Sequence, residues 1–236
     1  MIRYKFSVSV LIAFVALLSC KDTSSKKNQN QPTTNSSVKN EKDSIFAVAE
    51  EEKEFILDEE NAIPFFFEYE KTLKEDKVKI TTNLGSFTIQ LYDDVPYHRA
   101  NFVYLTKKGY FDNTMFHRVV KDFVIQGGNS DNVETGKKRQ KIGHYLLPPD
   151  TRKGHRHNRG VISMPSSEID NPHKLASPFE FFIVVTKPGS YHLDKDYTAF
   201  GQVIGGMDVV DKINKQPVDG RDWPLQNVYI LKAEAF

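Results

Sequence analysis

The stretch Phe116-His117-Arg118-Val119-Val120-Lys121-Asp122-Phe123-Val124-Ile125-Gln126-Gly127-Gly128 decides the reading of this 236-residue chain. Val119-Val120 and Phe123-Val124-Ile125 are short β-branched and aromatic runs on either side of the polar pair Lys121-Asp122, a pattern that reads as strand-forming. Gly127-Gly128 lacks the spaced glycines of a phosphate loop, so the pair is assigned to close packing or strand geometry. Arg118 brings a permanent charge and a planar fork of donors into an otherwise largely apolar stretch.

Moving outward, Val78-Lys79-Ile80-Thr81-Thr82 and Ser86-Phe87-Thr88-Ile89-Gln90-Leu91-Tyr92 alternate around Asn83-Leu84-Gly85, the signature of a β-hairpin. Pro96 to Lys108 places Ala100, Val103, Tyr104 and Leu105 at helical spacing and stops at Gly109, which predicts a helix. Further strands are expected at Gly160–Met164, Phe181–Val185, Ala199–Ile204 and Val228–Lys232, with a short helix over Met207–Ile213. Many short strands with few helices point to a barrel or a sandwich. No internal repeat is present.

The opening stretch closely resembles the signature of the cyclophilin-type peptidyl-prolyl cis-trans isomerases. The resemblance runs from about Val78 to the C-terminus and includes His98-Arg99-Ala100-Asn101-Phe102, Gly160-Val161-Ile162-Ser163-Met164, Phe181-Phe182-Ile183 and Phe200-Gly201, in the family's order and spacing. It implies a mostly β fold, a closed eight-stranded antiparallel barrel capped by two helices, over residues 77–236. It also implies an enzyme that speeds rotation about X-Pro peptide bonds without nucleophile, metal or cofactor. By matching motifs, Arg118 corresponds to the catalytic arginine, Gln126 to the polar neighbour that orients it, and Phe123, Val124, Phe182 and Leu193 to the apolar grip on the proline ring. Met164 is placed close by in the corresponding strand.

Several positions depart from the family's common pattern. Glu180 stands where glutamine is usual, and its carboxylate is expected to pair with Arg118 and reduce the local positive field. Pro165-Ser166 replace alanine and asparagine, while His192 and Tyr197 replace a tryptophan and a histidine at the rim. These departures keep a second reading open, a peptide-binding or chaperone module with weak or no isomerase activity. Trp223 lies too late in the chain to be the rim tryptophan and is assigned to packing.

The N-terminus has a different composition. Arg3 and Lys5 precede an apolar run from Phe6 to Leu18, too short to span a bilayer comfortably, and then Ser19-Cys20. Leu17-Leu18-Ser19-Cys20 resembles the bacterial lipoprotein box, which implies a signal peptide over 1–19 and lipid attachment at Cys20. Acylation of Cys20 would leave this single-cysteine chain without a free thiol. Residues 20–43 are polar and read as a tether. Residues 44–76 read as an acidic, partly helical extension, with Asn61 as cap, Pro64 in the first turn, and Phe66, Tyr69 and Leu73 on one face. The layout implies an envelope lipoprotein on the outer membrane facing the periplasm, with surface exposure as the alternative.

The expected partners are proline-containing polypeptides and, through the lipid, a membrane; the chain is expected to be a monomer. A net charge of +1, with no aromatic-interleaved basic stripe, argues against nucleic acid. A third class, an envelope scaffold acting through its acidic segment, needs no groove at all. His144, His155 and His157 lie among Arg152, Lys153 and Arg156 at spacings unlike a tetrahedral zinc site, and read as a solvated loop. Asp93-Asp94 has no partner base or nucleophile and reads as a turn.

Overall fold

The computed structural model describes residues 55–166 and 171–236, so the expected signal peptide, Cys20 and tether lie outside the described residues. Eight strands form the barrel: β1 (Lys77–Thr82), β2 (Gly85–Leu91), β3 (Thr114–Val120), β4 (Val124–Asn129), β5 (Val161–Ser163), β6 (Phe181–Val184), β7 (Ala199–Gly205) and β8 (Val228–Ala235). They close in the order β1-β2-β7-β5-β6-β4-β3-β8, and every pairing is antiparallel. Alternation sets which face is inside: Val78, Ile80 and Thr82 of β1 are buried, as are Phe87, Ile89 and Leu91 of β2. Aromatic rings fill much of the interior, with Phe116 and Phe181 meeting edge to face at 5.8 Å and Phe102 and Phe200 in tilted contact at 5.3 Å.

Four α-helices occur among the described residues: α1 (Ala62–Glu70), α2 (Pro96–Lys107), α3 (Val133–Ile142) and α4 (Met207–Asn214). Helix α2 packs on β7 and β8, and α4 on β2, β3 and β4. Every residue of α2 from His98 to Thr106 is buried. Neither ring nitrogen of His98 has a partner, and burial pushes its pKa down to about 3, so it is a neutral core residue.

Helix α3 corrects the expectation of only two helices on the barrel. Its sequence is charge-rich and buries only Thr135 and Ile142, so it has little apolar periodicity to detect. What defines it is its ends. The Asn132 side chain accepts from the Glu134 N–H, Glu134 lies in the first turn, and Arg139 and Lys141 lie in the last. Asn61 is the N-cap of α1 as expected, but its side chain makes no cap bond, its Oδ1 accepting from the Asp58 N–H at 2.9 Å. Asp58 Oδ1 accepts from the N–H groups of Glu60 and Asn61 in the turn leading into the helix.

Residues 55–76 are continuous with the barrel's packing. Leu57, Ala62 and Phe66 belong to the same buried cluster as Phe87, Phe102 and Phe116. The Leu57 N–H donates to Ile142 O at 2.8 Å, and the His144 N–H donates to Leu57 O at 2.9 Å. Gly143, at φ +126°, is required between them, since a Cβ there would collide with the Leu57 carbonyl. Phe66 meets Tyr104 edge to face at 5.8 Å and Tyr145 in a tilted contact at 5.6 Å. Arg99 Nη1 pairs with Glu70 at 2.6 Å and Nη2 donates to Glu75 O at 3.1 Å, which ties α1 to α2.

Candidate functional site

Register alone assembles most of the site. Arg118 on β3 lies opposite Gln126 on β4, and Gln126 lies opposite Phe182 on β6, so three side chains from distant segments share one row and one face. Two residues further along, Val120, Val124 and Val184 form a second row. The turn joining β3 to β4 is stapled from α4, with Asn214 Oδ1 accepting from the Asp122 N–H at 2.9 Å and Nδ2 donating to Val120 O at 2.8 Å. Asp122 adopts φ +56° there, a left-handed conformation that Asp tolerates better than most residues.

On this face is a pocket of about 100 Å³, with space for a single small ring. Phe123, Val124, Phe182, Leu193 and Tyr197 form its apolar surface, Pro165 closes one side, and Arg118 and Gln126 supply the polar one. Val124, Phe182, Val184 and Leu193 constitute a buried cluster separate from the main core, with Val120, Phe123 and Tyr197 packed against it. Tyr197 meets Phe182 edge to face at 5.5 Å. His192 stands outside the lining and stacks on Phe123 at 5.6 Å.

Met164, Ser166 and Glu180 also lie outside the lining. Met164 is 1% exposed and packs in the main core instead of facing the pocket. Ser166 is beyond Pro165, its Oγ accepting from Asn171 Nδ2 at 3.0 Å.

Glu180 does not pair with Arg118. Its Oε2 accepts from Gln126 Nε2 at 2.9 Å and lies 3.5 Å from His117 Nε2; its Oε1 accepts from Asn129 Nδ2 at 3.0 Å, with Arg139 Nη2 at 3.9 Å. Burial alone would raise the Glu180 pKa, but His117, Gln126 and Arg139 together outweigh it and hold the carboxyl below its ordinary value. Because the folded value is depressed, the stabilisation is present above the ordinary carboxylate range and is lost as pH falls through the folded value. Glu180→Gln is therefore expected to lower stability at pH 7 by about 1–3 kcal/mol. Thermal unfolding from pH 7 to pH 3 should show the difference from wild type shrinking; a pH-independent difference would contradict this account.

The sequence reading missed three supports. His157 lies in the segment read as solvated loop, yet it is fully buried. Asp194 accepts from the His157 backbone N–H at 2.7 Å and from Nδ1 at 3.0 Å. A carboxylate only accepts, so Nδ1 carries the proton and Nε2 accepts from Ser163 Oγ at 2.8 Å. Burial lowers the His157 pKa against the opposing pull of Asp194. The arrangement fastens the 190–198 segment, which carries Leu193 and Tyr197, to β5. The second support is the Asn129–Arg139 bond at 3.1 Å, which links α3 to Glu180's partners. The third is Asp222, whose Oδ2 lies 3.4 Å from Arg118 Nη2. Trp223, assigned to packing, is instead 37% exposed and lies 6.1 Å from the His117 ring.

A profile described as "Cyclophilin type peptidyl-prolyl cis-trans isomerase/CLD" matches residues 77–235. The chain belongs to the cyclophilin-type peptidyl-prolyl cis-trans isomerase family. It is 37% identical over 158 residues to peptidyl-prolyl cis-trans isomerase-like 3 of Dictyostelium discoideum, an alignment covering 66% of this chain and 92% of that one. It is also 37% identical over 172 residues to peptidyl-prolyl cis-trans isomerase-like 2 of Rhizopus delemar, covering 72% of this chain but 31% of that longer protein. Among solved structures, a cyclophilin-type isomerase of Cryptosporidium parvum superposes with a TM-score of 0.58 at 26% identity, covering 69% of this chain and 98% of that one. The same enzyme, solved in the presence of the dipeptide Ala-Pro, gives 0.57. The family match begins at β1, so α1 and the Leu57 pairing lie outside the matched residues.

Proposed function

We propose that this cyclophilin accelerates isomerisation of X-Pro bonds in exported or envelope proteins, with the proline ring in the pocket and Arg118 donating to the twisted amide. Conjugation gives the peptide bond a barrier of about 18–20 kcal/mol. As the bond twists, the prolyl nitrogen loses conjugation and becomes a better acceptor, so a donor aimed at it stabilises the twisted state more than the planar one. The apolar ring seat fixes where that nitrogen lies. The observation that carries this reading is the opening of the Arg118 guanidinium, 43% exposed, onto a pocket otherwise lined mainly by apolar side chains. The Ala-Pro dipeptide used with the Cryptosporidium parvum relative is the ligand class that such a pocket suits. NMR exchange on a panel of peptides varying the residue before proline should show acceleration over the uncatalysed rate. Binding without acceleration would replace the enzyme by a peptide-binding module.

The envelope assignment rests on the N-terminal layout through Cys20, the chain's single cysteine. We infer that Cys20 carries the acyl anchor of a monomeric lipoprotein on the outer membrane, facing the periplasm. Metabolic labelling with palmitate should mark the wild-type chain and leave Cys20→Ala unlabelled. Equal labelling of both would overturn the anchor.

A further inference from the structure

We propose that Asp222 is the positioning residue for Arg118, a role that motif matching gives to Gln126; the proposal rests on the reading of Arg118 as the donor. Gln126 donates its amide Nε2 to Glu180, and among the described residues no hydrogen bond joins its acceptor Oε1 to Arg118. Among the described residues, Asp222 is the ion-pair partner of Arg118, at 3.4 Å. The backbone that carries this carboxylate is held from two directions. The Asp222 carbonyl accepts from the N–H of Val119, the residue next to Arg118, at 2.8 Å. The surrounding turn is closed by Asp219, whose Oδ1 accepts from the N–H groups of Arg221 at 2.8 Å and Trp223 at 2.9 Å. Asp222 itself adopts φ +64°, where a short acceptor side chain is among the best tolerated. A half-exposed arginine would otherwise sample many rotamers, and fixing its fork before substrate arrives lowers the cost of reaching the twisted amide.

The test is a double-mutant cycle on the full chain, with kcat and KM measured by NMR exchange on an X-Pro peptide. Asp222→Asn keeps a residue suited to the left-handed backbone, and Asp222→Gly serves as a second variant with the same freedom. Both are expected to lower kcat by about three- to fivefold, the scale of a partly exposed ion pair, with KM unchanged. In an Arg118→Ala background the same substitutions should change nothing. An unchanged or raised kcat in Asp222→Asn, or an equal loss in both backgrounds, would overturn the proposal and leave Asp222 a turn residue only. Should Arg118→Ala alone match wild type, the reading of Arg118 fails separately.

Discussion

Arg118→Ala is expected to lower kcat/KM for X-Pro isomerisation by about 10²–10³-fold, the usual cost of removing one preorganised donor at a site where charge develops. The loss should fall mainly on kcat. The ring seat built by Phe123, Val124, Phe182 and Leu193 survives the substitution, so ground-state affinity should change little. Stability should also hold, since Arg118 is 43% exposed and its ion pair with Asp222 is at the surface. NMR exchange and thermal unfolding on one preparation separate the two effects. A variant that folds normally and isomerises at the wild-type rate would remove the arginine mechanism.

Phe66→Ala is expected to destabilise the fold by about 3–5 kcal/mol, the range for removing a fully buried aromatic ring. Phe66 is 0% exposed and packs against Tyr104 of α2 and Tyr145 beyond α3, so its loss opens a cavity between elements with no ready way to collapse. At about 2–4 °C per kcal/mol for a domain of this size, the unfolding midpoint should drop by about 10 °C. A drop of only a degree or two would mean that α1 rests on the barrel without supporting it. The pocket lies in a different cluster, so activity per folded molecule should be retained.

Much of the barrel could be read directly from periodicity. Alternation in Val78-Lys79-Ile80 and Phe87-Thr88-Ile89 reports one buried face, and the helix expected from Pro96 runs to Lys107. The last strand continues to Ala235, past the expected Lys232, because Ala233 still points inward. Helix α3 is written in capping and charge, with only Thr135 and Ile142 buried, and so carries little apolar periodicity. At the site, Arg118, Gln126 and Phe182 were reachable through motifs, and the register explains why such separated motifs belong together. The partners of Glu180 and of Arg118 were not reachable. Glu180 was matched to a neighbour by motif position, but the choice among Arg118, Gln126, His117 and Asn129 depends on which face each strand turns inward. His157 and Asp194 were hidden for the same reason, each an ordinary polar loop residue until the fold brings them together.

The separation of the pocket cluster from the main core bears on how such a chain can diversify. Val124, Phe182, Val184 and Leu193 form an apolar island outside the closed barrel, with the rim residues Phe123 and Tyr197 leaning on it. Substitutions on the island and in the interior share few neighbours, and effects at sites without shared partners tend to add. Substitutions at Tyr197 or Phe123, which lean on that island, are therefore expected to leave the barrel's own tolerance for mutation largely unspent.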